Sequence, residues 1–213
     1  MAPRVRARIV CGILALGCAF AVCATANAQH APEARTANTT RSPAQRLVDA
    51  ARKQIGVTTR YDPAYVVLAY PDGDVPNDRG VCTDVVIRAF RAQGLDLQQR
   101  VHDDMRANFK RYPKKWGLRS PDRNIDHRRV PNLQTWFARE GWSIAPQGEG
   151  ANDFRSGDLV TWMLPGNLPH IGIVSDRKSV FGTPLIIHNI GRGTHEEDIL
   201  FDYRITGHYR PNR

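Results

Sequence analysis

The sequence predicts an α+β protein, with helices in its first part and an antiparallel sheet in its second part. Apolar residues recur at helical spacing up to about residue 141. After residue 155 the apolar runs become short and partly alternating, and Gly, Pro, Asp and Asn bound them, as is typical of antiparallel strands. Helices first and strands second is the order of an α+β fold and not of repeated βαβ units.

The first 28 residues have the three-part layout of a secretory signal peptide. Three arginines lie within residues 4–8, an apolar run covers residues 9–24, and small residues at 26–28 match a cleavage site. The apolar run is shorter than the roughly 20 residues of a membrane-spanning helix, so we expect cleavage and export to the periplasm or beyond. Residues 29–41 are small and polar and predict a flexible mature N-terminus. Residues 42–213 then suit a single domain.

Four helices are predicted before the sheet, over residues 42–56, 82–94, 97–112 and 133–141. The first has the clearest start, because Ser42, Pro43 and Gln45 match an N-cap, a first-turn proline and a capping box. Its expected apolar face is formed by Leu47, Ala51 and Ile55. Between the first two helices, residues 59–80 are rich in turn dipeptides around a short apolar segment.

Four strands are predicted after the last helix, over residues 156–162, 170–176, 184–191 and 202–210. Gly157 and Asp158 begin the first of them, either as the turn into the strand or as part of a site. The sequence shows no internal repeat.

One cysteine remains once the signal segment is removed. Cys11, Cys18 and Cys23 lie within the first 28 residues, so the mature chain holds only Cys82 and cannot form an intramolecular disulfide. An unpaired thiol in an exported protein indicates a reactive group. The alternative is a buried inert thiol, since free cysteine is often found in protein interiors.

The chain is basic, with a formal net charge of +9, and loss of the three signal arginines leaves +6. This balance favours peripheral contact with an anionic envelope surface. The basic runs at residues 110–115 and 126–130 are short and accompany no nucleic-acid motif. A glycine-rich phosphate loop is also missing from the sequence. We therefore expect neither nucleic acid as a partner nor a bound cofactor.

Cys82 lies where a glycine-marked loop becomes a helix, in the stretch DRGVCTDVVIRAF. Amide N–H groups and the positive end of the helix dipole stabilise a thiolate at such a position, and a thiolate is the competent nucleophile. A base is then needed, and His170 begins the apolar run HIGIV on a predicted strand. His188 lies on the next strand, where its ring could orient the first imidazole; Asn189 would do so if the strand presented its other face. The other histidines are expected to be solvated or structural: His30, His102, His127, His195 and His208.

Four stretches resemble, in order, the motifs of the NlpC-type, papain-like cysteine peptidases: GVCTDVVIRAF, SGDLVTW, HIGIVSD and IIHNIG. The stretch RKQIGVTTRYD is similar to the upstream helix, glycine and tyrosine of those proteins. Over residues 43–210 the chain also resembles domain-of-unknown-function family 1287, a family of exported bacterial proteins within the same superfamily. The resemblance implies a papain-like fold of the NlpC type, with N-terminal helices packed on a C-terminal antiparallel sheet. It also implies hydrolysis of amide bonds in peptidoglycan peptides.

The same resemblance assigns roles to individual residues. Cys82 matches the nucleophile, His170 the base and His188 the third residue of a triad. The oxyanion and substrate side of the site is expected to hold Tyr61, Asp84 and Asn189. Val81 stands where those peptidases have Asp, and Asp84 stands where they have Gly. Cys82 and His170 are 88 positions apart (170 − 82), so the insert between them is expected to shape a different groove.

The sequence therefore predicts a monomeric amidase or endopeptidase that acts on peptidoglycan or its peptide fragments through a thioester acyl-enzyme. Val81 and Asp84 keep open a non-catalytic wall-binding module on a decayed peptidase fold. An acyltransferase with the same triad also remains open, because transfer and hydrolysis differ only in what attacks the thioester. A zinc site at the cysteine and two histidines is disfavoured, because no close ligand pair such as Cys-x-x-Cys is present.

Overall fold

The computed structural model describes residues 41–145 and 150–212. The predicted signal segment, residues 1–28, and all but the last residue of the predicted N-terminal tail lie outside these ranges. Within them, no helix combines the length and apolar character needed to cross a membrane.

The described chain has four α-helices ahead of its main sheet: α1 (Pro43–Arg52), α2 (Cys82–Arg91), α3 (Leu97–Asn108) and α4 (Val130–Arg139). Helix α1 begins as predicted, because the Gln45 amide donates to Ser42 Oγ at 3.2 Å and the Ser42 amide donates to Gln45 Oε1 at 3.0 Å. It ends at Arg52, short of the predicted end at Gly56. Ile55 therefore lies on the surface, and its expected place in the apolar face is wrong.

The C-terminal part forms an antiparallel sheet of five strands: β3 (Leu159–Leu164), β4 (Leu168–Lys178), β5 (Pro184–His188), β6 (His195–Glu197) and β7 (Arg204–Tyr209). Their order across the sheet is β6–β5–β4–β3–β7. The sequence predicted four of them and missed β6, whose three residues are all polar. A separate two-residue parallel pair joins β1 (Arg60–Tyr61) to β2 (Arg79–Gly80). The predicted α+β order is confirmed.

The helices cover one face of the sheet. Helices α1, α2 and α4 pack on β4, and α1 and α2 also contact β5. The core between the layers includes Val85, Phe90, Trp136, Phe137, Ile171, Ile173 and Ile187. Burial of each such side chain contributes about 1.5–3 kcal/mol. A smaller cluster lies on the other face, formed by Val160, Trp162, Val174, Ile186 and Leu200.

The segment between α2 and β3, residues 92–158, is the insert that separates Cys82 from the histidine strands. It contains α3 and α4 and the 3-10 turn Asp126–Arg128, and this turn packs against both α2 and α3. The fold thereby brings the insert to the start of α2, where the candidate nucleophile lies.

Candidate active site

Cys82 is the first residue of α2, and the loops around it fix its position. The β1–β2 pair aligns Tyr61 with Gly80, two residues before the cysteine. Asn189, just after β5, donates from Nδ2 to the Gly80 carbonyl at 3.0 Å. These contacts bring the tyrosine loop, the start of α2 and the end of β5 together around the thiol.

The Cys82 thiol is buried, with only 5% of the residue exposed. Burial raises the pKa of the thiol to about 12, although backbone N–H groups of Ile171, Thr83 and Cys82 itself act in the opposite direction. The sequence predicted that the helix start would favour ionisation. The structure corrects this expectation, because the loss of hydration outweighs the helix amides.

His170 on β4 and His188 on β5 form a buried pair. Nε2 of His170 and Nδ1 of His188 are 2.9 Å apart, and the rings meet edge to face. Burial lowers the pKa of His170 to about 3, and the neighbouring imidazole of His188 adds to the effect. Burial also lowers the pKa of His188, although Glu197 opposes it. Both rings are therefore neutral near pH 7. Nδ1 of His170 takes no part in the hydrogen bond between the two rings.

The strand reaches the sulfur through its backbone. The backbone N–H of Ile171, the residue after His170, lies near Cys82 Sγ and opposes the rise in the pKa of the thiol. Among the described residues, the thiol has no hydrogen bond to either imidazole. The structure thus places the cysteine beside the strand that carries the candidate base, with the thiol–imidazole hydrogen bond not formed.

A cleft of about 210 Å³ opens onto Cys82. Its lining residues are Tyr61, Pro63, Val81, Cys82, Trp116, Ile125, Arg128, Arg129, Val130, Pro131 and Pro169. Most of them belong to the insert, which therefore shapes this groove. A second cavity of about 410 Å³ shares Pro131 and Pro169 with the cleft, so the two adjoin at these prolines.

The cleft walls combine aromatic rings with arginines. Tyr61 is 40% exposed, and burial, followed by the charges of Cys82 and Asp84, raises the pKa of its hydroxyl to about 12. The hydroxyl is therefore a proton donor at neutral pH. The Arg129 guanidinium lies 4.2 Å from the centre of the Trp116 ring and also pairs with Asp126 at 3.0 Å.

Asp84 does not line the cleft. Its carboxylate accepts two hydrogen bonds from the Arg128 guanidinium, both at 2.9 Å, and one from the Val81 amide at 2.6 Å. Arg128 also donates to the carbonyls of Asp62 and Ala64. The expected contact of Asp84 with substrate is therefore wrong. This residue instead ties the start of α2 to the insert and to the loop that follows Tyr61.

Asn189 is also fully buried and does not line the cleft. Its Oδ1 accepts from the amides of Gly191 and Gly193, both at 3.2 Å, and its Nδ2 is bonded to Gly80. The expectation that Asn189 contacts substrate is corrected on these grounds. The β5 strand presents His188, and not Asn189, to His170.

Glu197 on β6 is the member of this cluster that sequence reasoning missed. Its Oε2 lies 3.1 Å from Nε2 of His188. The sequence indicated this contact only weakly. His188 and Glu197 are nine positions apart, and the stretch His195–Glu197 lacks the apolar–polar alternation that would predict a strand. Only the β5–β6 pairing makes them neighbours.

Asp158 and His127 lie outside the lining of the cleft and are buried. Asp158 pairs with His208 and Arg210 and has no contact with the cleft. Gly157 and Asp158 therefore form the turn into β3. His127 is buried, which excludes the solvated state that its basic loop suggested. Over residues 41–145 and 150–212, no group of three or more His, Cys, Asp or Glu residues is arranged to hold a metal ion.

Comparison with known proteins identifies relatives of the chain. The family model "Domain of unknown function (DUF1287)" matches residues 48–211. "Uncharacterized protein YijF" of Escherichia coli strain K12 is 58% identical over 164 residues, which cover 77% of this chain and 80% of that protein. Among solved structures, NlpC1 from Trichomonas vaginalis matches over 78% of this chain, with a TM-score of 0.42 and 11% identity. The chain spans 43% of the length of NlpC1, and a likeness of this size carries no argument about activity.

Proposed function

The chain belongs to the DUF1287 family, and we propose that it is a cysteine hydrolase that cleaves amide bonds in peptidoglycan peptides. The observation that supports this most strongly is the position of Cys82, which starts a helix, opens onto a cleft and lies beside β4, the strand whose His170 is paired with His188 at 2.9 Å. The substrate class rests on the NlpC-type motifs, which occur in the expected order along the chain.

The first step begins from a neutral thiol and a neutral imidazole. As the substrate carbonyl enters the cleft, His170 Nδ1 takes the thiol proton while Sγ forms a bond to the carbonyl carbon. Joint transfer avoids a free thiolate in the buried site, because the imidazolium and the negative oxygen form together as a pair. The thiol–imidazole hydrogen bond forms at this stage, as is common where free enzymes show loose catalytic contacts.

The carbonyl oxygen becomes negative as the carbon–sulfur bond forms. The Cys82 backbone N–H at the start of α2 and the Tyr61 hydroxyl stabilise this oxyanion. Tyr61 serves as a donor because its pKa is raised to about 12. The arrangement is held by the Asp84–Arg128 pair, which fixes both α2 and the loop after Tyr61.

The intermediate then breaks down to a thioester. His170 gives its proton to the nitrogen, the carbon–nitrogen bond breaks, and the amine leaves. Water attacks the thioester carbon with His170 as base, which releases a carboxylic acid and returns the proton to Cys82. The Trp116–Arg129 wall would hold the peptide beside the thiol during both steps.

Digestion of purified peptidoglycan sacculi tests the proposal. We expect soluble fragments from the wild-type protein and loss of at least about 10³-fold in rate for Cys82→Ala, because the nucleophile is removed. Cys82→Ser and His170→Gln should be similarly impaired, while His208→Gln, on β7 in contact with Asp158, should keep its activity. Mass analysis of the fragments would show which amide bond is cut. Equal release of fragments by wild type and Cys82→Ala would contradict the proposal.

A non-catalytic wall-binding protein is the second candidate. The observation that favours it is the buried thiol, whose pKa is raised to about 12 and which has no hydrogen bond to an imidazole of the described chain. In that case wild type and Cys82→Ala would sediment with sacculi equally, and neither would release fragments.

Export and a monomeric state are part of the same proposal. Export is supported by the layout of residues 1–28 and by the positive charge of the rest of the chain, which suits an anionic envelope. N-terminal sequencing of the protein from its own cells should begin at Gln29. A sequence that begins at the first residues would contradict cleavage.

A further inference from the structure

We propose that Glu197 is a positioning residue that fixes where the protons lie on both histidines, and thereby leaves Nδ1 of His170 free to accept the proton of Cys82. The inference rests on the proposed function for its chemical purpose. The proton arrangement itself follows from contacts within the protein.

The sheet register places Glu197 beside His188. Strands β5 and β6 pair His188 with His195, so Glu197, two residues further along β6, projects from the same face and lies diagonally opposite His188. Glu197 Oε2 is 3.1 Å from His188 Nε2, while Arg192 binds Glu197 Oε1. Burial alone would raise the pKa of Glu197, but Arg192 and His188 outweigh it and lower the pKa. Glu197 is therefore a carboxylate at neutral pH.

A carboxylate can only accept hydrogen bonds, and a neutral imidazole has one donor nitrogen and one acceptor nitrogen. Nε2 of His188 must therefore carry the proton that it donates to Glu197. Nδ1 of His188 is then an acceptor, so Nε2 of His170 carries the proton of the 2.9 Å contact. Nδ1 of His170 is left with a lone pair, which is the state that a base requires.

The reverse arrangement would disable the site. If His188 carried its proton on Nδ1, His170 would have to accept it at Nε2 and would carry its own proton on Nδ1. Such a nitrogen cannot take a proton from the thiol. This arrangement would also place the His188 Nε2 lone pair against the Glu197 carboxylate, so two acceptors would face each other. Glu197 therefore selects between two states that a neutral histidine pair could otherwise adopt.

Nitrogen NMR of the ¹⁵N-histidine-labelled free protein at pH 7 reads the arrangement directly. In the wild type we expect the proton on Nε2 of both His170 and His188. In Glu197→Gln the side-chain amide can donate as well as accept, so a population with the proton on Nδ1 of His170 should appear. Asp198→Asn, an exposed acid one residue further on, serves as the matched control and should leave the spectrum unchanged.

Turnover of sacculi gives the functional readout. Glu197→Gln should lower kcat by about 10²-fold with little change in KM, because the wrong proton arrangement removes the base and leaves the cleft intact. A wild-type spectrum with the proton on Nδ1 of His170 would overturn the inference, and that measurement needs no variant to fold. Unchanged spectrum and turnover in a folded Glu197→Gln would overturn it too. A wild type that shows the expected protons but does not digest sacculi would refute the hydrolase and leave the proton arrangement supported.

Discussion

Removal of the Asp84 charge should destabilise the protein severely. Asp84→Asn keeps the shape of the side chain but takes the counterion from Arg128, whose side chain is only 2% exposed. The guanidinium would then retain only uncharged acceptors, which are the amide oxygen of the new side chain and the carbonyls of Asp62 and Ala64, at 3.4 and 3.2 Å. The variant also weakens the acceptor for the Val81 amide at the start of α2.

The magnitude follows from the burial of this pair. Removal of one partner from a buried ion pair leaves an uncompensated charge and costs about 3–5 kcal/mol. For a domain of this size, such a loss lowers Tm by roughly 6–20 °C. An exposed pair behaves differently: Asp78 and Arg60 are both about half exposed, so Asp78→Asn should cost less than about 1 kcal/mol.

Urea unfolding of wild type, Asp84→Asn and Asp78→Asn, followed by circular dichroism, measures the difference. The double variant Asp84→Asn/Arg128→Met should recover part of the loss, because it removes the charge that was left unpaired. A cost below about 1 kcal/mol for Asp84→Asn would refute the view that this pair holds the start of α2. A double variant less stable than Asp84→Asn would show that the arginine acts mainly through its other contacts.

Two further outcomes are expected. Burial lowers the pKa of His127 to about 3, whereas in the unfolded chain this pKa is about 6.5. Between these two pH values the unfolded chain binds more protons than the native protein. The free energy of unfolding should therefore fall as the pH drops through this range. His127→Leu should flatten the pH dependence of the unfolding free energy by up to about 1.4 kcal/mol per pH unit; parallel curves for the two proteins would exclude this contribution. Ser42→Ala should lower the free energy of unfolding by about 1 kcal/mol, because the Gln45 amide loses its hydrogen-bond acceptor. Ser179→Ala, at an exposed hairpin, should have little effect. An unchanged urea midpoint for Ser42→Ala would contradict the capping role.

The fold was accessible from the sequence wherever local patterns decide structure. The capping box of α1 and the apolar runs of β3, β4, β5 and β7 are local features, and the elements form where they were expected. The strand β6 was missed because its pairing with β5, and not its own polar sequence, makes it a strand. The end of α1 was misplaced because a glycine marks a turn without fixing the residue at which the helix stops.

The site could be predicted only in part, because its chemistry depends on burial and on long-range contacts. His188, and not Asn189, faces His170, because successive residues at the end of β5 point to opposite faces of the sheet. Residue type suggested a substrate contact for Asp84, but Arg128, 44 positions away, occupies its carboxylate. The protonation of Cys82 was misjudged for a similar reason, since the helix start is visible in the sequence and the depth of the sulfur is not.

The depth of Cys82 also makes the thiol an internal reporter of motion. In the unfolded chain the sulfur would be accessible, with a pKa near the ordinary value of about 8.5, whereas in the native state it is covered and its pKa is raised to about 12. Alkylation at mildly alkaline pH therefore reports how often the sulfur becomes uncovered, either by widening of the cleft or by unfolding. Cys11, Cys18 and Cys23 all lie in the first 28 residues, so their peptides are readily distinguished from the one that contains Cys82. The rate at which that one peptide is labelled measures these openings without any change to the sequence.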